Sequence, residues 1–130
     1  MDVVATCLAA HIVPREFDNA EDYLEVILQE LVPKIQSEQL AQRFDVFVED
    51  NAFNAHVSRD YLFKLKAAGF DITVHGDQFT TGGSQVAIDV GAVSVDHLEA
   101  STDKEIQALA KSNVIPTALP GASIGLGCAF

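Results

Sequence analysis

Three histidines occupy positions from which a side chain can do chemistry. His11, His75 and His97 each follow a short apolar run of β type, so each is expected just past the end of a strand. In parallel α/β proteins the loops after the strands converge at one end of the sheet, and sites are built there. A lone histidine in such a place is usually a core residue held by a backbone hydrogen bond. Three on strand ends point instead to a shared site. The acidic residues Glu49, Asp50, Asp77 and Asp96 sit at the same level of the pattern. Imidazoles with nearby carboxylates and no thiol suit Zn or Fe in a hydrolytic site, where the ion brings the pKa of bound water down to about 7. His56, at the start of a helix on its polar side, reads as simply solvated. No serine stands in the Gly-flanked elbow of the serine hydrolases. The segment Gly121 to Gly127 is glycine-rich but fits neither a P-loop nor a dinucleotide fingerprint.

The elements that must carry these residues alternate between two periods. Val3 to Ala10 is a nearly continuous apolar run, expected to be a strand buried on both faces. Asn19 to about Gln36 has helical spacing, with Tyr23, Ile27 and Leu31 on one stripe, Asn19 as N-cap and Pro33 as a kink or restart. Phe44–Val48 is a second strand, and a helix from Asn54 to Ala68 stops at Gly69. Asp71–Val74 is a third strand. Gly82-Gly83 precedes a short helix from Ser84 to Val90, and Ala92–Val95 is a fourth strand. Thr102 and Glu105 form a capping box for a helix over Asp103–Ala110. Val114–Leu119 is a fifth strand, leading into the glycine-rich tail.

Five strands alternating with four helices make a parallel α/β series in one domain spanning 1–130. Its later units recur a little more tightly than the roughly 31 residues per unit of a 250-residue eight-fold barrel. Periodicity alone does not separate an open doubly wound sheet from part of a closed barrel. A strand beginning almost at the first residue is unusual for an intact protein.

The composition is that of a globular protein, 48% apolar and 21% charged. A net charge of −11 with only eight Lys and Arg argues against nucleic acid as partner. No apolar run approaches the roughly 18 residues of a membrane span, and no basic flank precedes the apolar amino end, so neither membrane nor secretion is expected. Cys7 and Cys128 lie at opposite ends of the chain, without metal-knuckle or disulfide-scaffold spacing. Cys7 is expected to be a buried, inert thiol, and the compartment a reducing cytoplasm.

Four stretches taken in order carry a more specific signal. Leu8-Ala9-Ala10-His11-Ile12-Val13-Pro14, Val74-His75-Gly76-Asp77-Gln78 followed by Gly82-Gly83, Ser94-Val95-Asp96-His97-Leu98-Glu99, and Leu119-Pro120-Gly121-Ala122-Ser123 closely resemble imidazolonepropionases of the amidohydrolase superfamily. The resemblance covers nearly the whole chain. It implies that the five strands are the third to seventh of a distorted (β/α)8 TIM-type barrel. It also implies hydrolytic opening of the ring of an imidazolone propionate to N-formimidoyl-glutamate in histidine degradation, with one divalent Zn or Fe ion. By position, His75 resembles the family's metal ligand, and His97 the histidine that polarises the carbonyl or moves protons. Gln78 stands at a catalytic and substrate-contacting position, and His11 resembles a substrate contact.

The departures matter too. Gly76 stands where a small alanine is expected, a mild change. Gln78, where some members carry Glu, cannot act as a base. No His-x-His pair occurs in the sequence, and the last-strand aspartate has no counterpart. One histidine does not hold a catalytic metal that needs three or four protein ligands. The expectation is a partial barrel, inactive by itself, that self-associates through exposed barrel edges. Two other readings stay open: a free-standing, flavodoxin-like binding module, and a non-catalytic descendant that pairs with another subunit.

Overall fold

A computed structural model describes residues 2–127 of the chain. Its elements follow the order β1 (Thr6–Ala10), α1 (Ala20–Val26), a π-helical turn (Ile27–Leu31), α2 (Val32–Glu38), β2 (Arg43–Val48), α3 (Ala55–Ala67), β3 (Asp71–Gly76), α4 (Gly83–Val90), β4 (Ser94–His97), α5 (Asp103–Leu109), β5 (Ile115–Thr117) and α6 (Pro120–Leu126). All neighbouring strands pair in parallel, and their order across the sheet is β1-β2-β3-β4-β5. Strand order therefore equals sequence order. A doubly wound sheet has a point where the order reverses, and none exists among the described strands, so the flavodoxin-like reading falls. The right-handed rule for parallel crossovers puts the helices that join consecutive strands on one face, as in a (β/α)8 barrel.

Strand alternation explains which face takes the helices. On β2, Phe44, Val46 and Val48 point one way, and in register with them stand Ile72, Val74 and Gly76 of β3. These side chains form the core with Leu24, Ile27 and Ile35 of the first helical segment, Leu62 and Leu65 of α3, and Val86 and Val90 of α4. The opposite face carries Asp45 and Phe47 of β2, Thr73 and His75 of β3, and Ser94 and Asp96 of β4, with no helix across it among the described residues. Here we call the two faces outer and inner.

A tight backbone approach lies where α4 docks on β3. A Cβ on Gly76 would stand 2.7 Å from Gly83 Cα, and one on Gly83 would stand 2.4 Å from Gly76 Cα. Glycine at 76 is thus a requirement of this packing, whereas the sequence had suggested only a mild change from alanine.

Other expectations also shift. β1 is shorter than Val3–Ala10 and is not buried on both faces: Leu8 is 61% exposed and only Ala10 is buried. The reason is its place at the sheet edge, with β2 as its one neighbour. β3 and β4 each run two residues further than expected, which puts His75 inside β3 and makes His97 the last residue of β4. Pro33, lacking an N–H, is absorbed by the preceding π turn, in which the Val32 N–H bonds Ile27 O; the helical run continues to Glu38. The glycine-rich tail is not irregular up to residue 126, because Pro120 starts α6. No helix among the described residues is long and apolar enough to cross a membrane. Cys7 is only partly buried, its thiol pushed up by desolvation, which outweighs the lowering by a backbone hydrogen bond at Ala9, with the Asp45 charge adding to the rise; Cys128 lies outside the described residues.

Candidate functional site

The inner face gathers the histidines. His11 leaves the end of β1, and its ring centroid lies 4.9 Å from that of His75; the His75 and His97 rings are 5.6 Å apart. The three expected site histidines are therefore brought together in one row, while His56 sits exposed at the start of α3. A cleft of about 250 Å³ opens beside His11, walled by Ile12, Phe47, Asn51, Phe79 and Thr80.

Between His11 and His75 lies a residue that sequence reasoning missed. Asp45, in the middle of β2, is 2% exposed. Its Oδ2 is 3.1 Å from His75 Nε2 and its Oδ1 is 3.7 Å from His11 Nδ1. Oδ1 has no hydrogen-bond partner, a costly state for a buried carboxylate oxygen. A donor atom from each of His11, Asp45 and His75 lies within 4.8 Å of the others. The signal was present in Phe44-Asp45-Val46-Phe47-Val48, where one acid interrupts an otherwise apolar strand. A charge buried there needs a partner.

His97 reaches the row by a backbone distortion. It pairs in register with Gly76, and regular alternation would send it outward with Val95. Instead, His97 (φ 86°) and Leu98 (φ 73°) both take left-handed backbone, and the His97 ring turns to His75. For non-glycine residues such geometry costs about 1–3 kcal/mol and persists where the surroundings impose it. Behind the ring, His97 Nδ1 lies 3.6 Å from Glu99 Oε2. Glu99 Oε1 accepts a hydrogen bond from the Ser123 hydroxyl on α6. Burial works to raise the Glu99 pKa, but the Ser123 hydroxyl, its own backbone N–H and His97 outweigh it and hold it below the usual carboxylate range.

The strand-end acids do not serve as the sequence suggested. Glu49 is spent on the loop after β3, accepting from the backbone N–H groups of Gln78, Phe79 and Thr80 and from the Thr80 hydroxyl. Asp77 is fully buried and holds Gly82 N–H, Ser84 N–H and the Ser101 hydroxyl. Both carboxylates fix loops. Asp50 is exposed, and Asp96 stands beside His75 in the register without joining the cluster of His11, Asp45 and His75. Gln78 is half-buried in the loop after β3, tied down through its backbone to Glu49 at 3.0 Å.

These features define a class: an arc of consecutive parallel βα units, compatible with part of a TIM-type barrel, with a histidine row at the carboxyl ends of its strands. By sequence the chain is related to the imidazolonepropionases. The imidazolonepropionase of one Bacillus cereus strain is 40% identical over 128 residues, which is 97% of this chain and 30% of the relative. Those of a second Bacillus cereus strain and of Bacillus mycoides are each 39% identical over the same span. The chain thus spans less than a third of the length of these curated relatives. No family model matches it.

Proposed function

We propose that the chain supplies the central part of a metal-dependent cyclic amide hydrolase that opens the ring of an imidazolone propionate to N-formimidoyl-glutamate, in cytoplasmic histidine degradation. The observation that carries this reading is the row His11–His75–His97 on the inner face of a barrel arc, in a chain related to imidazolonepropionases along nearly its whole length.

The donor set fits a divalent Zn or Fe ion: imidazole nitrogen beside a buried carboxylate oxygen that lacks a partner. When bound, such an ion supplies Lewis acidity and brings the pKa of water towards about 7. His75 would offer Nε2 to it, and the Asp45 carboxylate, 3.1 Å from that nitrogen, stands on the same side. With Nδ1 turned towards the Glu99 carboxylate, His97 in its imidazolium form can donate from Nε2 to the ring carbonyl under attack, and after giving up that proton can take it back. His11, at the mouth of the cleft, binds the substrate, and Gln78 offers its side-chain amide as a neutral contact in place of a base. Ligands from residues outside this chain complete the site, so the chain alone is inactive. The unpaired edges of β1 and β5 and the uncovered inner face make it self-associate with further copies.

The experiment is an imidazolone ring-opening assay of the 130-residue chain alone, and of the chain expressed with the rest of a relative from which the matching segment has been removed. We expect no turnover from the chain alone, turnover from the pair, and loss of that turnover on His75→Ala. A folded, assembled pair that is inactive, or one indifferent to His75→Ala, overturns the reading.

A further inference from the structure

We propose that Glu99 and Ser123 are positioning residues that act through His97. Together they keep a proton on His97 Nδ1, facing the carboxylate, so that Nε2 is the nitrogen left for the substrate. What His97 does is taken from the hydrolase reading; how its ring is held follows from the structure alone.

Two orphaned atoms face each other at this point. His97 Nδ1 and Glu99 Oε2 are both buried, both lack a hydrogen-bond partner, and stand 3.6 Å apart. One is a nitrogen able to carry a proton, and the other is an oxygen that only accepts while its carboxyl is ionised. Burial alone would raise the Glu99 pKa, but the Ser123 hydroxyl leads the contacts that hold it below the usual carboxylate range. The separation is longer than a hydrogen bond, and catalytic contacts of this length tighten when substrate fills a site. The two side chains are only 12% and 10% exposed, so little water competes for either atom.

The backbone between them is fixed from β3. Leu98 N–H bonds Gly76 O at 3.2 Å, Ala100 N–H bonds Asp77 O at 2.7 Å, and the Ser101 hydroxyl reaches Asp77 Oδ2 at 2.8 Å. These ties impose the left-handed backbone at His97 and Leu98, and with it the turn that sets His97 beside Glu99. Ser123 fixes the carboxylate from the other side. It is buried on α6, and its one hydroxyl proton has both Glu99 Oε1 and Leu119 O in reach. The charged oxygen is the stronger acceptor. With Oε1 bound to Ser123, Oε2 is the oxygen left for the imidazole. A carboxylate that served only to dock α6 would need no second oxygen beside a ring nitrogen.

The test is ring-nitrogen NMR of the 130-residue chain with isotope-labelled histidine, well above the ordinary imidazole pKa of about 6.5. His97, assigned by its loss on His97→Ala, is expected to carry its one proton on Nδ1. Glu99→Gln keeps the size and the Ser123 contact but turns an NH2 group to the ring. Nδ1 must then accept, so the proton is expected to move to Nε2. Ser123→Ala should give a mixture of the two forms, and Ser123→Thr, which keeps the hydroxyl, should restore the wild-type pattern. In the reconstituted pair Glu99→Gln should lower kcat at least about 100-fold, the lower end of what proton transfer contributes, with KM little changed. Circular dichroism checks that each variant folds; should Glu99→Gln fail to, Ser123→Ala decides. A wild-type His97 protonated on Nε2, or a ring pattern that a folded Glu99→Gln or Ser123→Ala chain leaves unmoved, overturns the proposal. Glu99 would then be a mere tie between loop and helix. The NMR result needs no turnover: an inactive pair refutes the hydrolase reading, whereas an active pair with an unmoved proton sinks this inference alone.

Discussion

The outer and inner faces of the sheet alternate residue by residue, yet they obey opposite rules. On the outer face Phe44, Val46, Ile72 and Val74 are wholly buried against helices, and each contributes by apolar area removed from water. On the inner face, one residue along, stand Asp45, Thr73, His75, Ser94 and Asp96. There the structure carries costs: a buried carboxylate oxygen without a partner, an imidazole nitrogen at His97 likewise unpartnered, and left-handed backbone at two non-glycine residues. The outer side has its own exception in the buried Tyr61 hydroxyl, which lacks a partner, but on the inner side such costs gather around the histidines, as expected of a face kept for chemistry.

The comparison can be broken by substituting adjacent residues on one strand. Phe44→Ala empties a fully buried outer position and should cost about 3–5 kcal/mol, read as a large drop in the urea midpoint. A loss below about 1 kcal/mol would show that the outer face is not the core that holds the arc. Self-association is the next largest effect. β1 and β5 have only one neighbour each, and Leu8, Ile12 and Ile115 are exposed along them. Size-exclusion with light scattering should show a concentration-dependent rise in mass, and a compact monomer throughout would contradict the open edges. The smallest effect is at Asp45→Asn, which removes the buried charge in nearly the same volume. We expect the unfolding midpoint to stay within about 1 kcal/mol of wild type or to rise. A loss of several kcal/mol would make Asp45 a structural residue and dissolve the contrast between the faces.

Much of this was legible in the sequence. Apolar runs located all five strands to within two or three residues at their ends, most closely for β2 and β3, which are buried in the middle of the sheet and have to be apolar over most of their length. The capping box of Thr102 and Glu105 and the cap at Asn19 form as read, while Asn54, expected as the first residue of its helix, is instead its N-cap. Placement of His11, His75 and His97 at one end of the sheet followed from where those runs stop. Three things were hidden by physics that acts at long range. Asp45 became part of the site only once its strand lay between those of His11 and His75, and the register decides that. Glu49 and Asp77 looked like ligands, but their lone pairs go to backbone N–H groups of loops whose paths no local pattern encodes. Gly121 and Gly125 masked α6, a helix that supplies Ser123 to Glu99 behind the His97 ring.

The claim at the centre of this account is that the inner row, and not the acidic surface at large, is where this chain meets its metal ion. Ring-nitrogen NMR of the wild-type chain during addition of one equivalent of Zn(II) tests it most directly, since each imidazole reports its own ligation. The account predicts that the His75 ring signals move on addition of the ion, while those of His56 stay in place. Movement of His56, or an equal small drift of all four histidines, would contradict it.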